Sequence, residues 1–190
     1  MKSHSFIYYA SRVSWLMLGI LIAAISLIRL NQTALKVPVL ANEIERPPVA
    51  PDPSLLADLP PPENLPGTVS YPVQAITQWG WWRSADSPQE RHRRLLWLSN
   101  QRLRAGYELI CDGQTDMGVG TLLKAESYLQ KAASISGQLD DRWQAELEWS
   151  LQRHQDVLHD STVKVDDATR TQIYGMIERT QNLQTAIERE

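Results

Sequence analysis

The chain has 190 residues and a formal net charge of −3 at pH 7, which allows one domain with appendages and excludes a large multidomain enzyme. This slightly acidic balance provides no bulk attraction to nucleic acid, so a nucleic-acid partner is not expected. The single cysteine, Cys111, excludes an internal disulfide and a zinc site of the usual four-ligand kind. Seven Trp and six Tyr against one Phe favour interfaces and membrane boundaries over a dry core, because Trp and Tyr carry polar tips.

An apolar segment near the N-terminus predicts a single transmembrane helix over residues 13–30. The segment from Val13 to Ile28 carries no charge, and it is bracketed by Arg12 and Arg29, whose long stems can reach the two head-group layers. Two tyrosines and a tryptophan on its N-terminal side stand where an aromatic belt would lie. We therefore expect residues 13–30 to contact the lipid bilayer as an uncleaved signal anchor.

A cleaved signal peptide is the alternative interpretation of this segment. Val39 and Ala41 are small residues of the type found at cleavage sites, but they lie more than ten residues beyond the apolar run. A cleavage site normally follows the apolar run closely, so the anchor is favoured. The short leader, residues 1–12, is expected to stay in the cytoplasm, which places residues 31–190 outside it at the cell membrane.

A proline-rich stretch follows the predicted span. Nine of the eleven prolines lie between Pro38 and Pro66, and proline at this density blocks helices and sheet ladders and favours polyproline II. The sequence therefore predicts an extended spacer over residues 31–67. The alternative is a docking peptide for a proline-reading module, since Pro48 to Pro51 and Pro62 to Pro66 loosely resemble such ligands.

Beyond the spacer, apolar residues recur at helical spacing, which predicts an all-α domain over residues 68–190. Pro72 occupies a tolerated N-terminal helix position, Ser87-Pro88-Gln89-Glu90 is a capping box, and Gly113 ends the helix that follows. No window alternates apolar and polar residues as a half-buried strand does. We expect a small antiparallel bundle of about five helices, over 71–83, 88–112 and 115–137, from Asp140-Asp141 onward and from Asp166-Asp167 onward.

Several motifs over residues 65–135 follow one another in a recognisable order. They are Leu65-Pro66-Gly67, Tyr71-Pro72, the segment from Arg102-Leu103 to Glu108-Leu109, Gly113, and Ala125-Glu126-x-Tyr128-Leu129-x-Lys131-Ala132. In this order they resemble the bacterial envelope family catalogued as domain of unknown function 5667, whose members follow a membrane span with a Pro-Gly-x-x-x-Tyr-Pro segment and a helical hairpin. The resemblance implies a cell-envelope setting and supplies no catalytic residue.

Side chains that could carry chemistry are isolated in the sequence. His154 and His159 are five residues apart, so they point away from each other on a helix and miss the step that a metal pair needs. Cys111 ends an apolar stripe beside Ile110, where a small buried hydrophobe is expected. A nucleophile elbow, a phosphate-binding loop and a dinucleotide fingerprint are absent from the sequence. We therefore predict no catalytic residue, no cofactor and no metal.

A tryptophan cluster and an arginine cluster form the candidate interaction surface. Three indoles within four positions cannot all face one core, and the arginines begin the following helix, so the short link between the helices brings the clusters to one corner. Such a surface can stack on sugar rings or aromatic side chains while attracting anions. The alternative is structural, with the tryptophans packed and the arginines on a solvated face. The candidate residues are Trp79, Trp81, Trp82, Arg91, Arg93 and Arg94.

Together these features predict a membrane-anchored extracytoplasmic helical interaction or scaffold protein without catalysis. Its expected partners are the lipid bilayer, through residues 13–30, and a protein of the cell envelope. The alternative is a membrane-bound sensor or regulatory subunit whose outer domain binds a ligand or partner. A 12-residue leader is too short for a folded output domain, which argues against this alternative.

Overall fold

Helices account for all the regular structure in residues 48–137 and 139–189, the part of the chain that this computed structural model describes. The predicted all-α class is confirmed for these residues. None of their helices has both the length and the apolar character needed to cross a bilayer, and the predicted span, residues 13–30, lies outside the described residues. The helices are α1 Pro53–Leu56, α2 Tyr71–Arg83, α3 Pro88–Cys111, α4 Thr115–Ser136, α5 Asp141–Thr162 and α6 Asp167–Ile187.

Two predicted caps start helices and one predicted glycine ends a helix. The Ser87 hydroxyl accepts a hydrogen bond from the Glu90 backbone N–H at 3.1 Å and starts α3. Asp166 accepts from the Thr169 backbone N–H at 2.8 Å and starts α6. Gly113 ends α3 with a φ of +81°, a left-handed conformation that glycine adopts without steric cost.

Helices α3 and α4 form the most closely packed pair. They run antiparallel, because His92 near the start of α3 contacts the Ala132 carbonyl near the end of α4, while Gly106 meets Gly118 further along. The two glycines let the backbones approach, and a Cβ added at Gly118 would lie 2.6 Å from Ile110 Cγ1. The close approach of the two helices therefore requires small residues at this crossing.

Helices α5 and α6 complete an up-down-up-down bundle with two apolar clusters in its interior. One cluster includes Leu103, Leu122 and Ile173, and the other includes Leu95 and Leu151. A buried polar layer separates the two clusters on α3 and α5, built from Ser99, Asn100, Ser150 and His154.

Residues 48–67 differ from the predicted extended spacer, because they lie along the bundle. We call them the strap. The Val49 backbone N–H donates to the Cys111 carbonyl at 2.8 Å, and Leu59 is 2% exposed and joins Leu56 in the first apolar cluster. Proline density favours an extended local backbone, but the leucines between the prolines supply apolar surface that the bundle buries.

Polar contacts fix the strap along its length. The Asp52 backbone N–H donates to the Tyr107 hydroxyl at 3.1 Å, and that hydroxyl donates to Asp160 Oδ2 at 2.6 Å. Arg104 donates to the Leu59 carbonyl at 3.0 Å, and Arg153 pairs with Asp58 at 3.2 Å. The strap is therefore bound to both α3 and α5.

Candidate functional site

Helix α2 packs on α3 with its polar residues inward. Its buried residues are Gln74 and Gln78. Val73 and Ile76 face outward, 65% and 70% exposed, and Trp79 is also exposed, whereas Trp82 at the end of the helix packs partly buried against the second apolar cluster. This arrangement inverts the usual amphipathic pattern of a surface helix. The apolar face of α2 consequently lacks a covering among the described residues.

Amide hydrogen bonds hold the inward face of α2. Gln78 Nε2 donates to Gln101 Oε1 at 2.9 Å, and the guanidinium of Arg102 donates to Gln78 Oε1. Arg102 is 2% exposed and faces the ring of Tyr71, with its Cζ 4.8 Å from the ring centroid. A buried charge without a carboxylate partner is costly, so the amide and the aromatic ring together supply its compensation.

Two adjoining depressions form a groove between α2, α3, α5 and the end of the strap, which we call the tryptophan groove. Their volumes are about 520 Å³ and 530 Å³, within the range of small-molecule sites. Trp97 and Arg93 line both lobes. The first lobe is lined in addition by Glu63, Gln74, Thr77, Gln78, Trp81 and Arg94, and the second by Leu96, Asn100, Arg142, Ala145, Glu146, Trp149 and Ser150.

The wall of the first lobe joins α2 to α3. Trp81 and Trp97 meet edge to face, with ring centroids 5.5 Å apart and planes at 79°. Arg94 packs over the Trp81 ring at 5.0 Å and donates both to the Trp81 carbonyl and to Ser84 Oγ. These contacts cross between the two helices and hold the aromatic wall in place.

Charges along the groove nearly balance. Arg93 and Arg94 both bond Glu90 at the start of α3, and these bonds lower the pKa of that carboxyl, with the Arg93 contact acting most strongly. Arg142 faces Glu146 at 4.0 Å on the rim of the second lobe. The groove therefore presents many hydrogen-bond donors and little net charge.

Three of the six predicted surface residues come together in this groove. Trp81, Arg93 and Arg94 line the first lobe, at the corner that the short link between α2 and α3 was expected to form. Their proximity comes from the antiparallel packing of α2 on α3, which the Gln78 to Gln101 bond shows.

The other three predicted residues lie elsewhere. Trp79 is exposed beneath the Arg83 guanidinium, and Arg91 is exposed on α3 away from the lobes. Trp82 is partly buried against the second apolar cluster, which matches the structural alternative, and its indole N–H is buried without a partner. The tryptophan cluster thus divides between the groove, the surface and the core.

Sequence reasoning missed Trp97, Trp149 and the inward amides of the groove. Trp97 lies one turn beyond Arg93 and Arg94 on α3, so helical spacing alone could have added it to the cluster. Trp149 reaches the groove only through the packing of α5 on α3, and no local pattern marks that contact.

The buried histidine and cysteine side chains are enclosed in the bundle. The Ser99 hydroxyl donates to the Ala125 carbonyl at 2.8 Å, so His154 Nε2 donates to Ser99 Oγ at 3.0 Å and the serine proton points away from the imidazole. Burial lowers the pKa of His154 to about 3. Burial likewise raises the pKa of the Cys111 thiol. Neither side chain is arranged as an accessible nucleophile.

Neither a metal-binding cluster nor a comparison with known proteins assigns a function to the described residues. Within the described ranges, no three His, Cys, Asp or Glu residues group closely enough to hold a metal ion. No protein-family model, curated protein or solved structure matches the chain.

Proposed function

We propose that this chain is a membrane-anchored extracytoplasmic interaction or scaffold protein without catalysis. The observation that carries the proposal is the outward face of α2, where Val73, Ile76 and Trp79 are exposed while Gln74 and Gln78 face inward. Exposed apolar side chains grouped on one helix face mark a contact surface for another protein. The partner that this face fits is an apolar surface on a protein of the cell envelope.

The strap changes the expected distance between the predicted anchor and the domain. The chain already contacts the bundle at Val49, so residues 31–47 separate the predicted span from the domain, in place of residues 31–67. Even a fully extended chain, at about 3.5 Å per residue, would let these residues reach at most roughly 60 Å.

The core supports a binding role over a catalytic one. The hydroxyl of Ser99 directs its proton to a backbone carbonyl, and Cys111 is buried with a raised pKa. The accessible aromatic and polar side chains lie on α2 and along the tryptophan groove, where indole, guanidinium and amide groups favour binding.

Site-specific photocrosslinking in intact cells tests this proposal. A photoreactive residue replaces Val73 or Ile76 in the full chain, and the control replaces Tyr174, which is half exposed on α6. We expect the two α2 positions to capture the same envelope protein and position 174 to capture none. Equal capture at all three positions, or capture at none, would contradict the proposal.

The predicted orientation is tested separately in the same cells. A C-terminal reporter enzyme that is active only outside the cytoplasm should be active when fused to the full chain. Activity of a cytoplasm-only reporter at that position would reverse the predicted topology.

A further inference from the structure

A row of unpaired cations lies between α2 and α4. Arg83, Lys124 and Lys131 are exposed, and none of the three pairs with a carboxylate among the described residues. Arg153 and Arg179, which lie elsewhere on the bundle, each pair with one. The row therefore keeps positive charge that the domain itself does not neutralise.

Aromatic rings hold these cations in one row. Lys124 Nζ lies 5.5 Å from the ring centroid of Tyr71 at the start of α2, and Lys131 Nζ lies 5.7 Å from that of Trp82 near its end. Arg83 packs over the same Trp82 ring at 5.6 Å. Lys124 and Lys131 are about two turns apart, so they lie on one side of α4. We call the resulting surface the basic face, and its residues are Tyr71, Trp82, Arg83, Lys124, Tyr128 and Lys131.

Few acidic side chains compete for the basic face. Helix α2 contains no Asp or Glu, and on α4 Glu126 pairs with Arg179 of α6, which leaves Asp116 in the first turn. Arg102, which is 2% exposed, lies beneath the face with its Cζ 4.8 Å from the Tyr71 centroid. It adds a buried positive charge, so the face attracts an anionic surface.

We infer that the basic face docks on the surface of an anionic phospholipid bilayer. Lysines act as point charges on flexible stems, so they suit mobile phosphate head groups and need no fixed geometry. Tyrosine and tryptophan rings, which lie beneath these lysines, are the residue types that membrane interfaces favour. The inference rests on the proposed membrane anchor, because residues 31–47 would tether the domain to that bilayer.

The tether makes a weak attraction sufficient. Each cation near an anionic bilayer strengthens binding by about fivefold, so the few cations of the basic face would bind a free partner only weakly. A tethered domain meets its own bilayer at a high effective concentration, and weak contacts then hold it there. An untethered acidic protein lacks this advantage, which favours the bilayer as the occupant.

The basic face and the proposed protein contact lie on different sides of α2. Val73 is about 200° around the helix from Tyr71, and it is 65% exposed on the outward face. Docking through Tyr71 and the lysines of α4 therefore leaves Val73 and Ile76 free for a protein partner.

A vesicle-bridging assay with the full chain tests the inference. The chain is reconstituted in neutral phosphatidylcholine vesicles, and labelled acceptor vesicles contain either phosphatidylcholine alone or equal parts of phosphatidylcholine and phosphatidylglycerol. Flotation measures how many acceptors the chain captures. We expect capture of the anionic acceptors and at least about tenfold less capture of the neutral ones. Capture should be lost at about 1 M salt, where the Debye length is only about 3 Å.

Two double variants locate the docking surface. Lys124→Gln with Lys131→Gln removes two charges from the basic face and should weaken capture by about tenfold or more. The control, Arg142→Gln with Arg189→Gln, removes the same charge from exposed positions on α5 and after α6, and it should change capture by less than about twofold. Helicity and melting temperature are measured on both, and all four positions are exposed, so both variants should fold.

Three results would overturn the inference. They are no capture of anionic acceptors, with or without binding of soluble polyglutamate, equal capture of neutral and anionic acceptors, and equal weakening by the two double variants. A chain that does not float with its own vesicles contradicts the proposed anchor, and its direct flotation with anionic vesicles still tests the basic face. Photocrosslinking at positions 73 and 76 is repeated with the Lys124→Gln and Lys131→Gln variant. Crosslinking that persists while vesicle capture is lost separates the basic face from the protein contact.

Discussion

The bundle of α3 to α6 and the helix α2 bury opposite kinds of side chain. The bundle encloses two apolar clusters around one polar layer, whereas α2 buries Gln74 and Gln78 and exposes Val73 and Ile76. Burial of apolar area stabilises the bundle without directional constraint, while α2 depends mainly on specific amide hydrogen bonds, with Trp82 as its contact to the second apolar cluster. The difference indicates that stability resides mainly in the bundle, and that α2 leaves exposed the kind of apolar side chain that the bundle buries.

The strap packs on the bundle and contributes to its apolar core. Removing it should give the largest loss of unfolding free energy. A fragment of residues 68–190 lacks Leu56 and Leu59, which the first apolar cluster buries. Burying two leucines contributes about 3 kcal/mol or more. The free energy of unfolding of this fragment should therefore be lower than that of residues 46–190 by at least this amount. Urea denaturation of both fragments measures the difference. Equal stabilities would show that the strap is a free spacer.

The glycine crossing of α3 and α4 provides a matched pair of variants within the bundle. Gly118→Ala would place its Cβ 2.6 Å from Ile110 Cγ1 and 2.9 Å from the Gly106 carbonyl, which should cost about 2 kcal/mol through overpacking. Gly120→Ala meets nothing within 4 Å, so it should stabilise the helix by up to about 1 kcal/mol. Thermal denaturation of the two variants should therefore give opposite shifts. Shifts in the same direction would contradict the close helix approach.

The polar layer of the bundle predicts a dependence of stability on pH. Burial lowers the pKa of His154 to about 3 from 6.5, so the unfolded chain binds the proton more readily. The stability contributed by neutral His154 is complete above about pH 6.5 and decreases as the pH falls toward 3. Between pH 7 and pH 5 we expect the parent chain to lose about 2 kcal/mol more unfolding free energy than His154→Gln.

Urea titrations at the two pH values measure this difference. An equal loss of stability in the parent chain and in His154→Gln would show that His154 titrates normally.

Substitutions on the outward face of α2 should change the free energy of unfolding least. Ile76→Gln exchanges an apolar side chain that is largely solvated, so it should change the free energy of unfolding by less than about 0.5 kcal/mol. Gln78→Leu, on the inward face, removes the bonds to Gln101 and Arg102 and should cost more. Chemical denaturation compares the two variants, and a larger loss for Ile76→Gln would reverse the assignment of the two faces.

Local signals in the sequence account for the helices. Ser87 and Asp166 cap helix starts, and Gly113 provides the positive φ that ends α3, so these boundaries follow from a few neighbouring residues. The position of Trp82 against the core was one of two open alternatives, because helical spacing does not say which indole meets the bundle.

Contacts between distant segments account for what the sequence did not predict. The prolines of the strap indicate its local conformation, but the burial of Leu59 depends on a surface formed by α3 and later helices. Trp149 lies near Trp97 only because α5 packs beside α3, and Gln74 faces inward through its bond to Glu63. Tertiary partners decide these positions, and local propensity does not encode them.

Native-state amide hydrogen exchange of the full chain tests the contrast between α2 and the bundle most directly. Because amide hydrogen bonds hold α2 and apolar clusters hold α3 and α4, the account predicts that α2 opens while the bundle remains folded. The amides of Gln78 and its α2 neighbours should then exchange with a lower free energy of opening than those of Leu103 and Leu122, and with a weaker dependence on denaturant. Equal opening free energies and equal denaturant dependence in α2 and in the bundle would contradict the account.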